Sequence, residues 1–152
     1  MAVIIRAITC DEAGALTELA LRSKAHWGYD AAFMADARKE IALTADDLAR
    51  LTAYGLELSG RLAGFYALRP HPDEIVELHD LWMDPEFIGQ GHGTRLWLHA
   101  LAWARSHNFR ELTLIADPNA ESFYLRRGAS TVSYEPSGIR ANRRMPVMRF
   151  EL

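Results

Sequence analysis

The stretch from Leu81 to Ala104 constrains this chain more than any other. It runs off an apolar strand through Met83-Asp84-Pro85 into Gly89-Gln90-Gly91-His92-Gly93. A helix follows, with Leu96, Trp97, Ala100, Leu101 and Ala104 at helical spacing on one face. Such a stripe has to lie on a core. The first N–H groups of that helix have no internal partner, and the helix dipole adds partial positive charge there. Glycines keep side chains away, so phosphate can approach the backbone. The Walker pattern is excluded, because it needs Gly-Lys-Ser/Thr and this stretch holds no lysine. A dinucleotide fingerprint would need glycine where Thr94 stands, and a place after the first strand of a longer doubly wound domain. Taken alone, the glycine triplet also fits a tight turn with glycines for steric reasons.

The rest of the chain sets this stretch in a mixed pattern. Val3 to Ile8 reads as a first strand, and Thr9 with Glu12 as a capping box opening a helix that carries Leu16, Leu19, Ala20 and Ser23 on one face. Gly28 breaks it. Phe33 to Leu43 predicts a second helix facing inward through Met34, Ala37 and Ile41, with a short turn at Asp46 to Leu51. The period then changes to two. Tyr54, Leu56 and Leu58 alternate, Ser59-Gly60-Arg61 turns, and Leu62 to Leu68 returns as a hairpin. Arg69-Pro70-His71-Pro72 reads as a breaker before a fourth strand, Ile75 to Met83. Leu112 to Ala116 is a fifth strand, Asn119 to Arg127 a helix ended by Gly128, and Ala129 to Tyr134 and Pro146 to Glu151 closing strands. The fold class is α+β: a single domain over residues 1–152, with a mixed, mostly antiparallel sheet flanked by helices.

Composition narrows the function classes. With 152 residues and 49% hydrophobic side chains the chain can bury one proper core. A net charge of −3 argues against a general nucleic-acid binder. No apolar run is long enough to span a bilayer, and Arg6 interrupts the opening apolar run too soon for a signal-peptide core. The lone Cys10 cannot form an internal disulfide, which suits a reducing cytoplasm.

Two segments together resemble the GNAT superfamily of N-acyltransferases. Met83-Asp84-Pro85 stands where that family has V-x-P, and Ile88-Gly89-Gln90-Gly91-His92-Gly93 where it has [RQ]-x-x-G-x-[GA]. Asp117-Pro118-Asn119 through Phe123-Tyr124 to Gly128-Ala129 looks like the family's second cofactor segment. The resemblance covers nearly the whole chain. The family's Arg or Gln is Ile88 here. Its phosphate contacts are chiefly backbone amides, and Ile88 still supplies one.

The resemblance implies that the fourth and fifth strands run parallel and splay apart to admit acetyl-CoA. The pantetheine arm would pair with the fourth strand along Leu81, Trp82 and Met83. The pyrophosphate would rest on the amides of Ile88, Gly89, Gln90, Gly91, His92, Gly93 and Thr94, and Asn119 would contact the pantetheine or its neighbouring loop. Tyr124 matches the position that reaches the sulfur. Trp27, Tyr29 and Phe33 fall where the family shapes its acceptor pocket.

The reaction so implied is direct attack of a primary amine of a small molecule or peptide-like acceptor on a thioester. The amine must lose a proton, the carbonyl oxygen's charge needs an N–H donor such as one freed by a bulge, and the thiolate needs a proton or a strong hydrogen bond. Glu77, His79 and Asp80 are the candidate bases on a strand that would otherwise read apolar. Strand alternation sends Glu77 and His79 to one face and Asp80 to the other. His79 titrates nearest neutrality, and Glu77 can act through a water. His92, His99 and His107 do not space as metal ligands, so no metal is expected. Arg126, Arg127 and the run Arg140 to Arg144 read as CoA-phosphate contacts or as solvated charge. The competing class is a non-catalytic acyl-CoA-binding or sensing module, which need not keep Glu77, His79 and Tyr124. A structural dimerisation domain with a vestigial site is a third. A homodimer is the expected assembly.

Overall fold

A computed structural model describes residues 2–152. Strand β1, Val3–Ala7, leads to a capping turn in which the Glu12 carboxylate accepts from the Thr9 N–H at 2.8 Å. Helix α1, Ala13–Ala25, follows and buries the expected face of Leu16, Leu19, Ala20 and Ser23. Gly28, at φ +88°, ends it in the left-handed region. Helix α2, Ala31–Ile41, starts earlier than expected because Asp30 caps it, accepting from the Phe33 N–H at 2.8 Å. Phe33 and Ala37 point inward on α2, and Met34 and Ile41 are only half-buried. Phe33 is turned in by stacking on Tyr29, ring centroids 4.0 Å apart. A short helix α3, Ala45–Ala49, completes the N-terminal part.

The remaining chain forms β2 (Thr52–Leu58), β3 (Arg61–His71), β4 (Ile75–Met83), helix α4 (His92–Ser106), β5 (Glu111–Ile115), helix α5 (Glu121–Leu125), β6 (Ser130–Pro136) and β7 (Arg144–Glu151). Arg69-Pro70-His71 belongs to β3 and does not break it. β2 pairs with β3 only as far as Leu68, so Pro70 lies where one edge is open and a missing N–H costs no ladder bond. The reversal comes at 72–74, where Asp73 and Glu74 take positive φ.

One seven-stranded sheet runs in the order β1-β2-β3-β4-β5-β7-β6. Every pairing is antiparallel except β4 with β5. Helix α4 covers one face through the predicted stripe, Leu96, Trp97, Ala100, Leu101 and Ala104, against residues such as Tyr66, Val76 and Leu112. Helices α1 and α3 cover the other, with Leu16, Leu19 and Leu48 on Phe65. No helix among the described residues is long and apolar enough to cross a membrane.

Two irregularities of β4 create an opening in the sheet. The strand pairs with β5 only at Ile75, Val76 and Glu77, opposite Glu111, Leu112 and Thr113, and beyond that point the two parallel strands part. Its register against β3 also slips, since Ala67 faces Asp80 and Leu68 faces Leu78, leaving His79 without a partner. A bulge of this kind bends a strand and tightens its twist, which turns the end of β4 away from β5.

Candidate functional site

Parting two parallel strands opens a cavity of about 440 Å³ between them. From Leu78 onward the β4 edge that faced β5 has no partner strand among the described residues, so its backbone N–H and C=O groups are free to pair with a ligand. Gly64 on β3 holds this stretch close. A Cβ there would lie 2.8 Å from the Trp82 carbonyl oxygen and collide with the Met83 side chain.

The glycine loop closes one end. Gly91 caps α4 at φ +84°, and the first internal bond of the helix is Arg95 N–H to the Gly91 carbonyl. The N–H groups just before Arg95 thus have no helical acceptor. A Cβ built on Gly89 or Gly91 meets nothing within 4 Å, so the backbone there opens onto free space. Arg127 stands beside it. Its guanidinium stacks 3.6 Å from the Phe123 ring centroid and donates to Thr94 Oγ1 at 3.1 Å. An anion at this end meets backbone amides, a helix dipole and a fixed cation. The residues present therefore fit a pyrophosphate.

The middle of the cavity holds the titratable groups. Tyr124, on α5, is 7% exposed, and its ring meets Trp97 edge-on at 5.6 Å between centroids. Burial pushes its phenol well above the ordinary tyrosine value, so near neutrality it is a hydrogen-bond donor and not an anion. On β4, His79 Nδ1 lies 2.5 Å from Asp80 Oδ2, and Trp82 Nε1 donates to Asp80 Oδ1 at 3.0 Å. The bond to Asp80 holds the His79 imidazole above its usual range, against burial that pulls it down.

This pair departs from strict alternation. The bulge puts Leu78 and Leu81 both toward α4, leaving His79 and Asp80 together on the other side with Trp82. The expectation that Asp80 points away from His79 is corrected accordingly.

Asp117, just past β5, lines the cavity and gathers side chains from distant parts of the chain. Lys24 Nζ lies 2.8 Å and an Arg143 guanidinium nitrogen 2.9 Å from its Oδ2, and the Tyr29 hydroxyl donates to it at 3.0 Å. The Lys24 and Asp117 side chains are each 5% exposed. Burial alone would raise the Asp117 carboxyl, but the bonds from Lys24, the Asn119 N–H and Tyr29 outweigh it and hold the group below the usual carboxylate range. Ser23 and Trp27 line the cavity beside this cluster.

Of the residues expected from sequence, His79, Leu81, Trp82, Met83, Ile88, Gly89, Gly91, Gly93, Thr94, Asn119 and Tyr124 line the cavity. Glu77, Gln90 and His92 do not. Glu77 lies on the part of β4 still paired with β5, and its carboxylate binds His71 Nε2 at 2.8 Å. His92 is buried, with Nδ1 unpartnered among the described residues. Lys24 carries no signal in the sequence, and Arg143, read there as a CoA-phosphate contact or solvated charge, instead pairs with Asp117 at 2.9 Å. Their contacts span 93 and 26 positions, and only the Asp117-Pro118 N-cap signal is local.

Comparison with known proteins agrees with this geometry. Residues 15–129 match the profile described as the Acetyltransferase (GNAT) family. Over 81 positions the chain is 31% identical to an uncharacterized N-acetyltransferase, MJ1207, of Methanocaldococcus jannaschii; the match covers 47% of this chain and 36% of that relative. The fold superposes on the PaiA N-acetyltransferase of Thermoplasma acidophilum in complex with coenzyme A with a TM-score of 0.82, at 19% identity and full coverage of both chains, 100% each. A GCN5-related N-acetyltransferase of Rhodopseudomonas palustris gives 0.83 at 21% identity, covering 100% of this chain and 97% of that one.

Proposed function

The chain belongs to the Acetyltransferase (GNAT) family, and on that footing we propose that it moves an acetyl group from acetyl-CoA to a primary amine of a small molecule or peptide-like acceptor. The observation that carries this reading is the shared cavity, which has His79 on β4, Tyr124 on α5 and an open glycine loop at one end. A pure binding module has no use for a half-buried imidazole and a buried phenol along one cavity.

Bound acetyl-CoA supplies an activated acetyl group: the amine nitrogen bonds to the thioester carbon as the carbon–sulfur bond breaks, its electron pair leaving on sulfur. The Ile88 N–H is taken by the Pro85 carbonyl at 3.3 Å, contrary to the sequence expectation, so the backbone amides from Gly89 to Thr94 hold the pyrophosphate and fix the register of the arm along Leu81 to Met83. His79 takes one proton from the ammonium, which has no lone pair until then. The nitrogen sheds its second proton after the new bond forms, and sulfur gains one, so a single net proton reaches solvent through His79. Tyr124 donates a hydrogen bond to the departing thiolate. Its raised pKa makes it a poor source of a full proton and a stable donor. Unpaired N–H groups of β4 near the bulge stabilise charge on the carbonyl oxygen. Glu77, outside the cavity and held by His71, takes no part.

The test is a panel of an aminoglycoside, spermidine, free amino acids, an alanyl peptide and a lysyl peptide with acetyl-CoA, read by thiol release. Turnover with one class supports the reading. Tight coenzyme A binding with no amine-dependent thiol release from any class would overturn it in favour of a binding module.

A further inference from the structure

Neighbouring residues of a regular strand point to opposite faces, so a side-chain pair at consecutive positions needs a cause. In β4 the cause is the bulge at His79, which brings His79 and Asp80 onto one side of the sheet. We propose that Asp80 is a positioning residue: its carboxylate, locked by the Trp82 indole, keeps a proton on His79 Nδ1 and so leaves Nε2 as the atom that takes the proton from the amine. The inference rests on the acetyltransferase reading and goes beyond it, because that reading needs a base but does not say what sets its tautomer.

The geometry supports this at each link. A carboxylate only accepts hydrogen bonds. At 2.5 Å from Asp80 Oδ2, His79 Nδ1 must therefore be the donor, and in the neutral ring the lone pair falls on Nε2. The carboxylate cannot swing away, because its other oxygen accepts from Trp82 Nε1 at 3.0 Å and the residue is 6% exposed. Trp82 sits in the sheet opposite Phe65 of β3. His79 lines the cavity, and its side chain is 28% exposed. Other charges act on it more weakly. Arg69 on β3 opposes protonation, Glu77 on β4 favours it, and Asp47 at the start of α3 interacts with the imidazolium. None of these hydrogen-bonds the imidazole among the described residues, so Asp80 alone fixes which nitrogen carries the proton.

The experiment is nitrogen NMR of the ¹⁵N-histidine-labelled full chain, with the His79 signals assigned by His79→Gln, alongside kinetics with acetyl-CoA and whichever panel amine turns over fastest. In the wild type, neutral His79 is expected to carry its proton on Nδ1 and to titrate above ~6.5. In Asp80→Asn the titration should move down and the proton should shift to Nε2, since the Asn amide can donate to Nδ1. kcat should fall by about 10²- to 10³-fold while KM for acetyl-CoA stays within about twofold. Trp82→Phe keeps the carboxylate but frees one oxygen, and should give a smaller fall in kcat, about tenfold. It also serves if Asp80→Asn does not fold. A wild-type His79 protonated on Nε2, or an Asp80→Asn enzyme with unchanged kcat and His79 titration, overturns the proposal while the acetyltransferase reading stands. Full turnover by His79→Gln removes His79 as the base, and the role of Asp80 with it.

Discussion

The two ends of the cavity are built from different material. At the glycine-loop end the binding groups are main-chain amides, set by Gly89 and Gly91 at positive φ and by the first turn of α4. Few side chains are involved, and all these amides lie within a dozen residues of one another. Where Asp117 lines the wall just past β5, the order comes from side chains packed around it: Lys24 from α1, Tyr29 before α2 and Arg143 from the β6–β7 connection. The first end is rigid because a helix is rigid. The second holds only while four separate segments are packed together. Substitutions at the loop should therefore cost ligand binding, and substitutions at the cluster should cost folding.

Asp117→Asn tests the cluster and has the largest expected effect. It leaves Lys24 and Arg143 buried without a counter-charge, a change that costs about 3–5 kcal/mol. Denaturant unfolding should show it as a large drop in midpoint. The pH dependence follows in sign. The folded pKa of Asp117 is depressed, so its contribution is complete above the unfolded value near ~3.9 and is lost as pH falls through the folded value. The gap between wild type and Asp117→Asn should narrow only below about pH 4. A stable variant that instead fails to bind coenzyme A would erase the contrast between the two ends.

Gly91→Asp tests the loop. Acetyl-CoA at a hundred times its Kd should raise the stability of the wild type by about 2.7 kcal/mol, and NADH and ATP should do less. The variant should lose that increment while keeping most of its own stability, because a Cβ at Gly91 meets no neighbour and the only cost is its positive φ. Equal stabilisation by NADH would contradict the cofactor assignment.

Tyr124→Phe, between the ends, should lower kcat by roughly ten- to a hundredfold with coenzyme A affinity unchanged. A purely packing role predicts intact turnover. The smallest effect is expected from Ile88→Gln, which restores a polar side chain beside the phosphates. One added hydrogen bond of about 1 kcal/mol corresponds to a few-fold tighter coenzyme A binding, measurable by calorimetry. No gain would mean that the amides alone saturate the anion.

What the sequence made legible divides along the same line. Local patterns did well: the stripe on α4, the capping box at Thr9 and the stop at Gly128 each depend on residues a few positions apart. The resemblance carried by the glycine loop and the Asn119–Tyr124 segment extended this to the splay. Three features were not legible. The bulge at His79 arises from a register slip against β3, so strict alternation puts Asp80 on the wrong side. Pro70 reads as a breaker unless one knows that β2 ends at Thr52 and leaves the edge open. The Asp117 cluster joins residues 93 and 88 positions apart, and no spacing rule reaches that far.

The central claim is that the gap between β4 and β5 holds the acyl donor, with its phosphates at the loop and its sulfur between His79 and Tyr124. A crystal structure of the coenzyme A complex tests it most directly. The account predicts the pyrophosphate on the amides of residues 89 to 94, the pantetheine along Leu81 to Met83, and the sulfur within about 3.5 Å of the Tyr124 hydroxyl. Coenzyme A bound outside this gap, or with its sulfur directed away from both Tyr124 and His79, would contradict it.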